Sequence, residues 1–119
     1  MNITDPLAHH ARALVERPAI VHDERVILYR DLDALVRRSA SHLYSLGLAP
    51  GDVVGVALRD SVEHLVILCA LARAGIVMLP LDWRWTVGEQ QRVAAHFGEY
   101  RPNSARISGL GGEWVRKLT

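Results

Sequence analysis

VVGVALRDSVEHLVILCALARAGIVMLPL, Val53 to Leu81, is the stretch whose reading decides the fold. Leu65 to Leu81 within it is the longest apolar run of the chain. A membrane-spanning helix needs about 20 apolar residues without charge. Here Arg73 interrupts, Gly75 follows and Pro80 closes the run, so it divides better at Gly75. Val53 to Leu58 reads as a strand covered on both faces, because it is apolar without alternation. Asp60 or Ser61 suits the N-cap of a helix over Val62 to Ala74. That helix is apolar nearly all round, which marks it as a core helix. Ile76 to Leu79 is then a second short strand. Strand, helix and strand form a βαβ unit, Val53–Leu79, whose strands should be parallel neighbours.

Upstream, Asp5-Pro6 suits a helix start, with Asp5 capping and Pro6 in the first turn. Leu7, Ala8, Ala11, Leu14 and Val15 share one face of that helix, and Pro18 closes the element. Ala19–Val21 and Val26–Tyr29 flank a polar turn at His22–Arg25 and read as a hairpin. Asp31 is expected to cap a second helix, with Leu32, Leu35, Val36, Ala40, Leu43 and Leu46 at the 3.6 period and Gly47 at its C-terminal stop. Downstream, Thr86-Val87-Gly88-Glu89 has the form of a capping box. Its helix carries Val93, Ala94 and Phe97 on one face and ends near Gly98. The fold class is therefore α/β: a partial three-layer-type sheet built on the parallel βαβ unit, with an N-terminal hairpin and flanking helices. Residues 1–98 form the patterned unit. Residues 99–119 read as an irregular tail, with a short strand expected at Ala105–Ile107 and a frayed helix at Glu113–Leu118.

The composition narrows the function classes. The chain has 119 residues, the size of one domain or of a piece of one. Half of it is apolar and 23% is charged, the profile of a packed chain rather than a disordered one. A formal charge of +1 gives no electrostatic case for nucleic acid or for an anionic membrane. Cys69 is the single cysteine, so an internal disulfide and a multi-cysteine zinc site are both excluded. The N-terminus lacks a cationic segment followed by an apolar run, which leads us to expect a cytoplasmic protein.

Catalytic signatures are sparse. Lys117 is the single lysine and is followed by Leu118, so no Walker loop exists. Gly109-Leu110-Gly111-Gly112 lacks the final glycine of a dinucleotide fingerprint, with Trp114 in its place, and reads as a turn. His9 and His10 are adjacent and diverge on a helix, while His22, His42, His64 and His96 are scattered without HExxH spacing. No metal site is expected from them. Cys69 lies mid-helix among Ile67, Leu68, Ala70 and Leu71, the setting of a small buried hydrophobe rather than a nucleophile. Ser61 stands at a strand-to-helix turn without the glycines of a nucleophile elbow, so capping is its expected role. Trp83, Arg84 and Trp85 are the candidate cleft or interface residues, weighed against simple coverage of the sheet edge.

The order of these elements resembles the N-terminal region of the adenylate-forming superfamily, which includes acyl-CoA synthetases, peptide-synthetase adenylation domains and luciferases. The resemblance rests on Pro18-Ala19-Ile20, Leu28-Tyr29-Arg30-Asp31-Leu32 and Leu46-Gly47-Leu48-Ala49-Pro50-Gly51-Asp52-Val53-Val54. It continues through Asp60-Ser61-Val62-Glu63, Ala70-Leu71-Ala72-Arg73-Ala74-Gly75 and Pro80-Leu81-Asp82-Trp83-Arg84. Leu28 stands where the family favours Thr, and Asp60 and Asp82 where it favours Asn. The likeness covers roughly Pro18 to Gly98.

The resemblance implies a parent reaction in which a carboxylic acid and ATP give acyl-AMP, followed by a thioester with coenzyme A. The family's Ser/Thr/Gly-rich phosphate loop, acidic adenylate motif and lid lysine have no counterpart in these 119 residues. No catalytic, cofactor-binding or metal residue is therefore carried over. ATP, Mg²⁺ and coenzyme A belong to the full-length family, and none is expected for this chain alone. The expected partner is the remainder of a ligase or a second copy, with neither nucleic acid nor membrane. Two readings stand beside the ligase fragment. One is a self-associating α/β interaction module, and the other an unrelated small binding protein with its cleft at Trp83, Arg84 and Trp85.

Overall fold

The computed structural model describes residues 1–100 and 104–105. In chain order it contains α1 (Asp5–Ala13), β1 (Pro18–His22), β2 (Arg25–Leu28), α2 (Tyr29–Ser45) and β3 (Val53–Val56). These are followed by α3 (Val62–Arg73), β4 (Val77–Pro80), α4 (Val87–Tyr100) and β5 (Ser104–Ala105). β1 and β2 form an antiparallel hairpin, and β4-β3-β5 form a second sheet in which β3 is central and both its pairings are parallel. The expected βαβ unit is present, with Val53 opposite Val77 and Val56 opposite Pro80. β5 falls at the start of the expected Ala105–Ile107 strand. The rest of that strand, the helix expected over Glu113–Leu118 and the packing of Ala94 and Phe97 lie outside the described residues.

The core forms around α3. Val66, Ile67, Ala70 and Leu71 are fully buried, as are Val36 and Leu43 of α2 and Val54 of β3. A helix with so little polar surface is stable in water only when enclosed, and α2 and the sheet enclose it. Both helices end in the same closure. Gly75 N–H donates to the Ala72 carbonyl (3.2 Å) and Ile76 N–H to the Leu71 carbonyl (2.9 Å). Gly47 and Leu48 donate likewise to Tyr44 (3.0 Å) and Leu43 (3.4 Å). This Schellman pattern requires a left-handed residue, which Gly47 (φ 88°) and Gly75 (φ 72°) supply. It also moves Ile76 out of the expected strand: its amide closes the helix, and β4 begins at Val77.

Three other expectations are corrected. Asp31 does not cap α2. The helix begins at Tyr29, whose N–H donates to the Arg17 carbonyl (2.9 Å), so backbone just ahead of the hairpin does what a side chain was expected to do. Asp31 instead lies in the first turn, where its charge faces the positive end of the helix dipole. Asp5 is the first residue of α1 rather than its cap, and its carboxylate accepts from the Asn2 N–H (2.8 Å). α1 also stops at Ala13 and buries no residue of its own. Leu14 and Val15 are exposed, and of the expected apolar face Leu7 packs against the core.

A polar clasp holds the N-terminus in place. Arg73 Nε donates to Thr4 Oγ1 (3.2 Å), Thr4 Oγ1 donates to Asn2 Oδ1 (2.8 Å), and Asn2 Nδ2 donates to the Ala72 carbonyl (2.8 Å). Arg73 Nη1 also lies 2.7 Å from Asp33 Oδ1 on α2, within ion-pair range though off the line of a good hydrogen bond. Ser39 is fully buried on α2 and its hydroxyl has no hydrogen-bond partner among the described residues.

Two substitutions with opposite outcomes test this core. Leu71→Ala should cost about 2–5 kcal/mol in denaturant unfolding, because it leaves a cavity among fully buried neighbours. Ser39→Ala should be neutral or stabilise by up to about 1 kcal/mol, because it removes a desolvated hydroxyl that gains nothing from folding.

Candidate functional site

The carboxyl ends of parallel strands are where open α/β sheets present ligand crevices. At that end of β3 and β4 lies an open cleft of about 520 Å³, lined by Leu58, Asp60, His64, Pro80, Leu81, Asp82, Trp83 and Arg84. Two segments build it, the β3–α3 connection and the segment after β4. Ser61 accepts from the His64 N–H (3.1 Å) and caps α3 as expected. One turn into the helix, His64 Nδ1 lies 3.6 Å from Asp60 Oδ1.

The segment after β4 is placed by a close approach. Leu81 N–H donates to the Val56 carbonyl (2.9 Å), and the Leu81 side chain lies over Gly55, where a Cβ would sit 3.0 Å from Leu81 Cδ1. The chain then turns, with Trp85 N–H donating to the Asp82 carbonyl (3.1 Å). The Asp82 carboxylate holds the turn closed by accepting from the Arg84 backbone N–H (2.9 Å), Nε (3.0 Å) and Nη2 (2.7 Å). Those side-chain and backbone hydrogen bonds, together with the charge of Arg84, hold the Asp82 carboxyl down at about 2. Arg59 lies over the ring of Trp83, one of the lining residues, its guanidinium carbon 4.1 Å from the centroid, a cation–π contact.

The sequence candidates therefore divide. Trp83 and Arg84 line this cleft, whereas Trp85 lines a separate groove with Glu89, Arg92 and Val93 on α4. The start of α4 carries the expected capping box: Glu89 N–H donates to Thr86 Oγ1 (3.2 Å), and Glu89 Oε2 accepts from the Thr86 N–H (2.8 Å). Sequence reasoning missed Asp82 and Arg59 as partners of the candidate residues. The Asp-x-Arg spacing was the available signal for Asp82, since Asp readily accepts from the amide two residues on. Arg59 carried no such signal, because its contact with Trp83 is made through the fold.

The chemistry available is limited. The Arg84 guanidinium in the cleft and the Arg59 guanidinium over Trp83 already have protein partners. Burial pushes the Cys69 thiol up, and the Arg73 charge pulls weakly the other way, so Cys69 is not an activated nucleophile. Among the described residues no group of three or more His, Cys, Asp or Glu is arranged to hold a metal ion. No helix among the described residues is long and apolar enough to cross a membrane.

Residues 7–98 match the family described as AMP-binding enzyme. The chain belongs to that family. A 76-residue segment, 64% of this chain, is 40% identical to phosphinothricin tripeptide synthetase PhsC of Streptomyces viridochromogenes and covers 7% of it. Over 89 residues, 75% of this chain, the identity to the fatty acid–[acyl-carrier-protein] ligase ScoC of Streptomyces coeruleorubidus is 33%, covering 17% of that protein. The N-terminal subdomain of Klebsiella oxytoca NpsA, solved in complex with 3-hydroxyanthranilyl-AMSN, shares the fold with a TM-score of 0.80. That match has 21% identity and covers 98% of this chain and 31% of the NpsA chain. The chain thus spans less than a fifth of the length of these two sequence relatives.

The Asp82–Arg84 fork gives a direct test. Arg84→Gln should move the Asp82 titration midpoint from about 2 back toward the ordinary 3.8, followed by side-chain NMR. The sign follows from a lowered folded-state value. The fork's contribution is complete above the ordinary carboxylate range and is lost as pH falls toward 2.

Proposed function

We propose that this chain supplies the opening part of an adenylate-forming acid–thiol ligase and acts there as sheet scaffold, without reactive groups of its own. The parent reaction joins a carboxylic acid to ATP, releases pyrophosphate and passes the acyl group from acyl-AMP to a thiol such as coenzyme A. The observation that carries the reading is the family match from residue 7 to residue 98, which runs from α1 into α4. The small share of each relative that it covers points the same way.

Activating a carboxylate with ATP requires preorganised donors and cations around the polyphosphate. The 119 residues contain no phosphate loop, and Lys117 is their single lysine. On this reading ATP, Mg²⁺ and coenzyme A are bound by other parts of the ligase, and the partner of this chain is that remainder. A cytoplasmic setting accompanies the proposal, in keeping with the free Cys69 thiol.

The test is ATP–pyrophosphate exchange by the purified 119-residue chain with a panel of carboxylic acids. Exchange should be indistinguishable from a blank. Turnover above the blank that tracks the chain through purification would overturn the proposal.

A further inference from the structure

The N-terminal segment up to Ala13 is held differently from the rest of the chain. Within α1, which leans on α2, no residue is buried, and Leu7 packs half-buried against the core. Its polar ties to the body lie beyond its two ends. Ahead of α1, Asn2 Nδ2 donates to the Ala72 carbonyl (2.8 Å) and Arg73 Nε to Oγ1 of buried Thr4 (3.2 Å). Past α1, the Arg17 carbonyl accepts from the Tyr29 N–H (2.9 Å) and Glu16 pairs with Arg30 (2.6 Å). Between these ends the His10 ring rests against the Tyr29 ring, 5.3 Å from centroid to centroid. Every residue from Arg12 to Pro18 is exposed.

Two physical facts make this segment one unit. A helix of 9 residues is too short to persist alone in water, where about 12–15 residues are marginal even for good helix formers. On leaving α2 it melts, so its backbone bonds break together. The contact at Arg73 is also poised rather than tight. Among the described residues, buried Arg73 Nη2 and buried Asp33 Oδ1 have no hydrogen-bond partner. Desolvated groups of that kind work against the closed arrangement and are relieved when water reaches them. We propose that residues 2–13 form a strap that opens as one unit while α2, α3 and the β3–β4 pair stay folded, with Arg73 as its catch and Arg12–Pro18 as its hinge. Opening bares the Ala72 carbonyl, the Asp33–Arg73 pair and the apolar surface under Leu7. The strap thereby controls access to the C-terminal end of α3. This inference stands apart from the scaffold reading above.

The test is native-state amide hydrogen exchange of the 119-residue chain, read at Ala8–Leu14 for the strap and at Val66–Leu71 for the core. The strap amides should exchange at one common opening free energy, about tenfold or more faster than the core amides, yet slower than in a free peptide. Asn2→Ala should speed the strap amides roughly 3- to 10-fold, the worth of about one hydrogen bond, and leave the core amides unchanged. Arg73→Gln should speed them at least as much. Limited trypsin digestion gives a second readout: the first cut should fall after Arg12 and should come sooner in both variants.

Strap amides that exchange as slowly as the core amides would mean that α1 leaves only on global unfolding, and would overturn the proposal. So would strap amides at free-peptide rates, or an Asn2→Ala variant that leaves the strap unchanged or speeds strap and core alike. Asn2 is partly exposed and touches no core side chain by hydrogen bond, so its variant decides the matter even where Arg73→Gln fails to fold.

Discussion

The structure depends on one constraint: α3 has almost no polar surface and must be enclosed. Val62, Val66, Ile67, Ala70 and Leu71 are buried along its length. α2 covers it with Leu35, Val36, Ala40 and Leu43, and β3 backs it with Val54 and Val56. Each valine, leucine and isoleucine among them contributes roughly 1.5–3 kcal/mol by leaving water, and each alanine less. The loops follow from that enclosure. α2 and α3 must stop at the same end of the molecule for the chain to return to the sheet. Their two glycine closures do this, and Gly51 N–H to the Gly75 carbonyl (2.9 Å) joins the turns that follow them.

Elements whose cause is local were legible in the sequence. The Ser61 cap, the Thr86–Glu89 box and the stops at Gly47 and Gly75 each depend on residues within a few positions of one another, and the βαβ unit was legible from the order and length of its three apolar runs. Where the cause was tertiary, the reading drifted. Asp31 has the right chemistry for a cap, but the carbonyl of Arg17, just before the hairpin, reaches the first amide of α2 instead. The apolar pattern of α1 ran on through Leu14 and Val15, yet no surface lies opposite them, and the helix ends at Ala13.

The candidate site was half legible for the same reason. Trp83, Arg84 and Trp85 stand out as a tripeptide, but the Asp82 turn sends Trp83 and Trp85 into different concavities. Arg59 over Trp83 and Leu81 over Gly55 join residues more than twenty positions apart, and no sequence period reports such contacts. The family likeness, by contrast, was visible because it depends on the order of many individually weak signals, which spacing alone records.

Arg73 contributes something other than strength. A half-buried guanidinium gripping Asp33 and Thr4 stabilises less than a well-packed methionine of similar size could, because ions resist leaving water. What the charged group supplies is direction. An apolar side chain would offer α1 no directional contact, whereas the Arg73 Nε–Thr4 hydrogen bond and the 2.7 Å approach of Nη1 to Asp33 favour one placement over its neighbours. The opening residues of the chain are thereby tied by direction as well as by contact to the C-terminal end of α3.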